Sequence, residues 1–414
     1  MKKLIGFFEN LIEDEKNGER LYLVALALFV ANMFSETLLF NRWMMIVKLT
    51  KYLPLVLIGL KMVFFDRFRV TEFFMVSAAI STSLMIVLHI GGNGGLGMIP
   101  MLWTFLVIGA RNVDFDSILK TYLVVEISYT IIRMFAVLID ILENVTWPGN
   151  IERHGGLGRE AFGFTYPTIL PAHMFGILAA LYYLYRKKLN VFVYIATTLI
   201  SIYMFLRTRA RTGIACLILL NIGFFWMDIR ERMKGKSEGR FWREKASHLE
   251  CLSVPICAVF TFLLTWMYDS GNTFMAKLDD IMSNRLNLGK MALDSYGIPL
   301  WGDPVTFVGF GGSLKSLYAE GYNFIDAFYL YGLVKFGLVF MLLFIGVLVY
   351  LCYKHRENRA LVWVIVVMAI KMTVETHKSE FGTMIFMLAA FAKVTCDPKL
   401  WRRSDKENTV ISEQ

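Results

Sequence analysis

Between two strongly apolar runs lies RTRARTG, residues 207 to 213, which carries Arg207, Arg209 and Arg211 at alternate positions. A guanidinium keeps its charge and offers a planar fork of donors, so phosphate and carboxylate oxygens are its best partners. Moving one into the centre of the hydrocarbon costs about 2.5–3.5 kcal/mol on the insertion scale, and less at the interface. One stray arginine therefore means little, but three this close together need an anion. Lipid phosphate, acidic side chains of neighbouring loops and a phosphorylated substrate all qualify. A fourth arginine, Arg285, lies in KLDDIMSNRLNLGKMALDSYG, where helical spacing puts it on the face of Leu278, Ile281, Met282, Gly289 and Ala292. On such an apolar stripe it is turned toward the protein and must meet an anion or an internal partner.

Other residues with chemical potential fit structural roles more readily. Glu126 and Arg133, seven residues apart, share a helix face, and an internal ion pair is expected of them. Lys371, Glu375, His377, Lys378 and Glu380 crowd one short connection; Glu375, a turn inside the apolar run, is the candidate substrate contact among them. DFD, Asp114 to Asp116, imitates a metal-binding DxD but sits in a connection too short for a nucleotide-sugar domain. Adjacent Asp279 and Asp280 point about 100° apart on a helix and make a poor metal pair. The six histidines are scattered, and the five cysteines show neither metal-ligand spacing nor a disulfide framework. No GxxxxGK[ST] loop is present, and the clusters GGNGGLG, GGLG and GFGG lack the strand and helix context of a dinucleotide fingerprint. These residues indicate no zinc site and no nucleotide-driven pump, and no cofactor is expected.

The elements that must position these groups are membrane helices. Hydrophobic residues make up 56% of the 414, mean hydropathy is +0.53, and the apolar residues fall in continuous runs of about 20, the length that spans roughly 30 Å of hydrocarbon. Runs without period-two alternation predict an all-α polytopic membrane protein and exclude a β-barrel. Spans are expected near 21–40, 43–65, 71–90, 95–110, 118–139, 166–185, 191–206, 212–228, 250–267, 331–353, 360–376 and 381–396, twelve in all, with both termini on one side. Residues 1–20 read as a cytosolic amphipathic segment, 21–396 as one membrane domain and 397–414 as a polar cytosolic tail. The first run reads as a retained anchor.

The net charge of +9 resides mainly in short loops: DRFR at 66–69, RKK at 186–188, the stretch 229–248, KHRENR at 354–359 and the tail. All fall on one side, which the positive-inside rule makes cytoplasmic, so the charge orients the chain in a bilayer and does not signal nucleic acid. The second span is the weakest, because Lys61 interrupts it. Two long loops, 140–165 and 268–330, then lie outside, and loops of such length are usually functional or disordered. Arg207, Arg209 and Arg211 lie outside too, opposite to where topology would put them. No nucleotide is available there, so bond-making needs a substrate activated beforehand, such as a sugar on a polyprenyl pyrophosphate. Outward arginines suit its leaving group.

Four segments, in order across most of the chain, resemble those of the bacterial Wzy-type polysaccharide polymerases, which are related to the O-antigen ligases. RTRARTG resembles T-x-S-R-T-G, with Arg211 at the characteristic arginine and Ala210 in place of Ser. GREAFGFTYPT resembles R-x-x-L-G-F-G-H-P-N, matching Arg159, Gly163 and Pro167, with Tyr166 and Thr168 replacing His and Asn. SNRLNLGKMALDSYGIPLWG is similar to an S-x-R segment ending in F-G and carries Arg285. DAFYLYGLVKFG resembles D-N-x-Y-L followed by Y-G, with Asp326 first and Ala327 replacing Asn.

The resemblance implies an inverting, metal-independent glycosyltransferase of the bacterial cytoplasmic membrane that polymerises lipid-linked repeat units into capsule, exopolysaccharide or O-antigen. In it Arg211 and Arg285 hold the donor pyrophosphate, Asp326 accepts the acceptor hydroxyl proton, and Arg159, Arg207, Arg209, Tyr166 and Glu375 contact substrate. The implied partners are an undecaprenyl-pyrophosphate-linked oligosaccharide, the lipid bilayer, a chain-length regulator and a flippase. Two rivals share the donor group: a ligase that passes the glycan to another acceptor, and a transporter of an anionic lipid-linked glycan. The paired halves common in transporters are not visible in the sequence.

Overall fold

The computed structural model of the chain describes residues 15–33, 44–66, 68–91, 98–147, 158–186, 188–233, 245–308, 323–376 and 384–395. It is built almost wholly of helices. Along the chain run α1 (Glu15–Met33), α2 (Met44–Phe64), α3 (Val70–His89), α4 (Ile99–Gly109) and α5 (Phe115–Leu138). The strands β1 (Thr146–Trp147) and β2 (Arg159–Glu160), paired antiparallel, follow. Next come α6 (Ile169–Tyr185), α7 (Val191–Thr208), α8 (Arg211–Met233), α9 (His248–Cys251), α10 (Ser253–Trp266), α11 (Thr273–Ile281) and α12 (Arg285–Tyr296). The series ends with α13 (Phe328–Lys354), α14 (Arg359–Met372) and a 3-10 helix, Ile385–Ala390.

Among the described residues α3, α5, α7, α8 and α13 are long and apolar enough to cross a membrane. Shorter apolar stretches occur at Tyr52–Phe64, Ile99–Gly109, Ile169–Tyr185 and Ser253–Trp266. At the centre stands α14, against α6, α8, α10 and α13. From Leu361 to Ala369 it is apolar nearly all round, and Leu361, Val362, Val364, Ile365, Val367, Met368 and Ala369 are fully buried, as a helix of that composition must be. The peripheral helices are apolar outward as well: Phe73 and Phe74 of α3, Ile131 and Phe135 of α5, Phe192 and Leu199 of α7 and Phe260 of α10 are exposed. An apolar exterior around an apolar interior suits a chain whose solvent is lipid.

Hydrogen bonds gather the basic connections at one end of the bundle. Lys61 donates to both carboxylate oxygens of Asp66 at 2.8 and 2.7 Å, to the Gly109 carbonyl at 2.8 Å, and to the Arg111 carbonyl. The charge that interrupts the second span is thus buried and paired. Phe115 N–H donates to the Lys393 carbonyl at 3.0 Å, and Lys393 N–H to that of Val113 at 2.8 Å. Lys354 and His355 bond the Ala390 and Ala389 carbonyls at 2.8 and 3.0 Å; Ala246 N–H meets the Arg356 carbonyl at 2.9 Å; Asn358 donates to the Tyr183 hydroxyl at 2.9 Å. Asp114 of DFD is a helix cap, accepting from Ser117 N–H and hydroxyl at 2.9 Å each.

Several expectations change. Glu15 to Arg20 already belong to α1, so the first helix begins before residue 21. The sixth begins at Ile169, leaving Tyr166 in the loop. Most consequential is the expected span 381–396. Its described part holds only the six-residue 3-10 helix, about 12 Å long at about 2 Å per residue and too short to cross. Its residues are buried against α4, α5 and α13, where protein instead of lipid surrounds the backbone, so a full helix is not required. Twelve spans are therefore not what the described residues display.

Helix α13 is interrupted at Gly337, whose φ of 92° and ψ of 169° are outside the helical region. Residues 299–302 fill the break: Leu338 and Val339 N–H donate to the Pro299 and Leu300 carbonyls at 2.9 and 3.2 Å. A Cβ on Gly337 would strike Gly302, and one on Gly302 would strike the Lys335 carbonyl, so the approach requires both glycines.

Candidate functional site

The arginine stretch forms the corner between α7 and α8 at the end of the bundle opposite the basic connections. Arg209 caps α7 in the left-handed region, with φ of 54°, a conformation that costs a non-glycine residue about 1–2 kcal/mol and turns the chain sharply. The Thr208 hydroxyl accepts from Ala210 N–H at 3.3 Å, and α8 begins at Arg211. The first N–H groups of a helix have no intrahelical partner and form the positive end of its dipole. Ala210, just before them, has no side-chain acceptor to offer. The buried Arg209 Nε has no hydrogen-bond partner among the described residues, whereas Arg211 is exposed.

The first long loop closes onto this corner. Pairing of Thr146 with Glu160 and Trp147 with Arg159 sets β2 beside α7. Arg159 Nε donates to the Thr208 carbonyl at 3.1 Å, and Arg207 pairs with Glu160 at 2.5 Å. Trp147 donates to the Thr165 carbonyl at 3.2 Å, and its ring lies 4.6 Å from that of Tyr166. Behind the loop, Glu126 is buried against His173, while the Arg133 guanidinium lies 4.4 Å over the Phe164 ring. The two α5 residues thus anchor the segment that carries Tyr166.

The second long loop departs from its expected form. KLDDIMSNRLNLGKMALDSYG is not one helix: Ser283 and Asn284, with φ of 64° and 65°, divide it into α11 and α12. Ile281 is consequently exposed and leaves the apolar face. The buried Asp279 carboxylate accepts from Leu286 and Asn287 N–H at 2.8 and 3.3 Å and so caps α12 across the break. Arg285 becomes the first residue of α12, and its Nε lies 3.4 Å from Asp326 Oδ2. Asp326 Oδ1 has no hydrogen bond among the described residues.

Electrostatic coupling joins these parts. Burial lowers Arg159 from the ordinary arginine value; Tyr166 opposes that shift and Arg285 adds to it. Arginine remains protonated all the same, so the shift records a cation withdrawn from water beside another cation. Burial raises Tyr166 above the usual phenol value, Arg159 and Arg285 pull it down and Asp326 pushes it up. Tyr166 is therefore a neutral phenol that can both donate and accept. Arg159 and Tyr166 of the first loop thus feel the charges of Arg285 and Asp326 at the second, and the Arg159 bond to Thr208 attaches the first loop to the corner of Arg207, Arg209 and Arg211.

Glu375 is placed differently from expectation. It is buried, with Oε2 2.9 Å from Lys371 Nζ and Oε1 accepting from the Thr212 hydroxyl at 2.6 Å. A carboxylate so engaged is part of the wall beneath α8, not a surface available to substrate. His377, Lys378 and Glu380 lie outside the described residues. Sequence reasoning missed Lys371 as its partner, Asp279 as a cap and Trp147 as the neighbour of Tyr166; only the S-N pair before Arg285 hinted at a helix start there. Among the described residues no group of three or more His, Cys, Asp or Glu could hold a metal ion. The arrangement can bind an anion carrying more than one charge and take a proton beside it. Comparison with protein-family models, with curated proteins and with solved structures finds no match.

Proposed function

We propose that the chain is a membrane glycosyltransferase that polymerises polyprenyl-pyrophosphate-linked oligosaccharide repeat units, working on the outer face of a bacterial cytoplasmic membrane. What supports this reading above all is that Arg159 is bonded to the Thr208 carbonyl at the α7–α8 corner, Asp326 lies 3.4 Å from Arg285, and the charges of these groups and Tyr166 act on one another. A diphosphate leaving group needs donors aimed where its charge develops, and a helix N-terminus flanked by guanidinium groups provides them.

In the mechanism, the acceptor hydroxyl gives its proton to Asp326 Oδ1 as its oxygen bonds to the anomeric carbon of the donor. The bond from that carbon to the pyrophosphate oxygen breaks, and its electron pair leaves with the polyprenyl pyrophosphate. Inversion puts nucleophile and leaving group on opposite faces of the sugar. Arg211, with Arg209 and Arg159, takes the leaving group; Arg285, whose Nε is 3.4 Å from Asp326 Oδ2, attracts that carboxylate by charge and adds its own charge to the arginine group. Arg207 is paired with Glu160 and shapes the rim. Tyr166, against Trp147, offers a ring and a hydroxyl to the glycan.

Reconstitution with lipid-linked repeat units supplied on the outer face tests this, since polymer formed there requires an enzyme and not a carrier. Arg211→Ala and Arg285→Ala are expected to abolish long chains while protein level and single repeat units persist. Normal polymer from either variant would refute the assignment.

A further inference from the structure

The Lys371–Glu375 pair adjoins the first turn of α8, beside the exposed Arg211. Both side chains are only 3% exposed. Thr212 donates to Glu375 Oε1 at 2.6 Å, and a Cβ on Gly213 would stand 3.3 Å from that oxygen and 3.1 Å from Pro171 Cβ. The carboxylate thus lies alongside the first turn of α8, tied by Thr212 to the residue after Arg211, with the start of α6 on its other side. Lys371 Nζ sits 5.8 Å from the Phe175 ring.

A buried ion pair contributes little net stability compared with apolar residues of the same volume, so folding alone is a weak reason for it. A lone carboxylate beside the first turn would be attracted to the helix dipole, and would also repel an arriving diphosphate. The ammonium of Lys371 cancels that repulsion. From this geometry we infer that Lys371 and Glu375 are positioning residues for the donor site: Glu375 fixes α8 through Thr212, and Lys371 keeps the carboxylate from opposing the anion. Gly213 follows Thr212 because a side chain there would push the carboxylate and Pro171 away.

This inference rests on the polymerase reading, and steady-state kinetics of the reconstituted full chain can separate the two. Lys371→Met removes the ammonium facing Glu375 and is expected to raise the KM for the lipid-linked donor about tenfold or more. The double variant Lys371→Met with Glu375→Gln removes both charges and is expected to bring KM back toward wild type; a purely structural role would instead show as a fall in Tm and kcat in the single variant with KM unmoved. Thr212→Val cuts the tether and is expected to lower kcat roughly tenfold, with Thr212→Ser close to wild type. Thr212→Val matching wild type, Thr212→Ser as impaired as Thr212→Val, or KM unchanged by a folded Lys371→Met would overturn the inference. If Lys371→Met fails to fold, the Thr212 pair decides. Should Arg211→Ala itself keep normal turnover, the polymerase reading falls first.

Discussion

Two helices at the site begin with an arginine, α8 with Arg211 and α12 with Arg285, and their first turns are satisfied in opposite ways. In α12 the cap is internal: Asp279 accepts from Leu286 and Asn287, and Asp326 faces the arginine. In α8 the preceding residue is Ala210, and the nearby Glu375 is occupied by Lys371 and Thr212. The difference teaches that one terminus is closed by an internal carboxylate, while the other opens on an exposed arginine with no side-chain acceptor at the residue before it. On the proposed mechanism the first orients the base and the second receives the leaving group.

The comparison can be broken at either end. Asp279→Ala strips α12 of its cap and leaves two N–H groups short of an acceptor, at a local cost of about 1–3 kcal/mol. Arg285 should then drift from Asp326, and turnover should fall about a hundredfold. Hydrogen exchange over residues 285–289 should quicken in parallel; unchanged exchange and activity would mean that α12 holds itself without the cap.

A smaller effect is expected at Gly213. Gly213→Ala sets a methyl 3.1 Å from Pro171 Cβ and 3.3 Å from Glu375 Oε1, closer than ordinary contact, so a shift of a few tenths of an ångström should follow. About a tenfold loss of turnover with nearly unchanged thermal stability would show that the α8 terminus tolerates little displacement. Wild-type turnover would show that it is looser than the contact geometry implies.

The smallest effect belongs to the opposite end of the bundle and gives a background against which site effects are read. Burial, with Lys354 beside it, holds His355 down at about 4 despite its bond to the Ala389 carbonyl. A histidine depressed in the folded state favours folding when neutral. Its contribution is therefore complete above the unfolded value of 6.5 and is lost as pH falls from there toward about 4. The Tm in detergent should drop over that window, and His355→Gln should flatten the drop; an equal slope in the variant would assign the acid sensitivity elsewhere.

Much of this arrangement was legible in the residues themselves. Apolar runs identified most of the helices, and loop charge grouped the basic connections that hydrogen bonds gather at one end. Three arginines in RTRARTG demanded an anion whatever the fold. The failures have a common cause, because each depends on contacts distant in sequence. A 20-residue apolar run does not reveal that 385–390 is wrapped by protein, which frees it from spanning as a helix. Periodicity carried one helix through Ser283 and Asn284, since their left-handed backbone is held by Asp279 folding back onto the next helix. The break at Gly337 is set by residues 299–302, some 35 positions earlier, and nothing in its own helix pattern announces it. Glu375 was expected to face substrate, and its place in the wall beneath α8 involves Thr212, 163 residues away.

The central claim is that the first turn of α8, led by Arg211, holds a diphosphate. The most direct test is the affinity of the purified full-length protein, in lipid nanodiscs, for undecaprenyl pyrophosphate. The account predicts that Arg211→Ala weakens binding about tenfold to a hundredfold, the loss expected for a charge-assisted hydrogen bond worth about 1.5–3 kcal/mol. Equal affinity in the two proteins would contradict it.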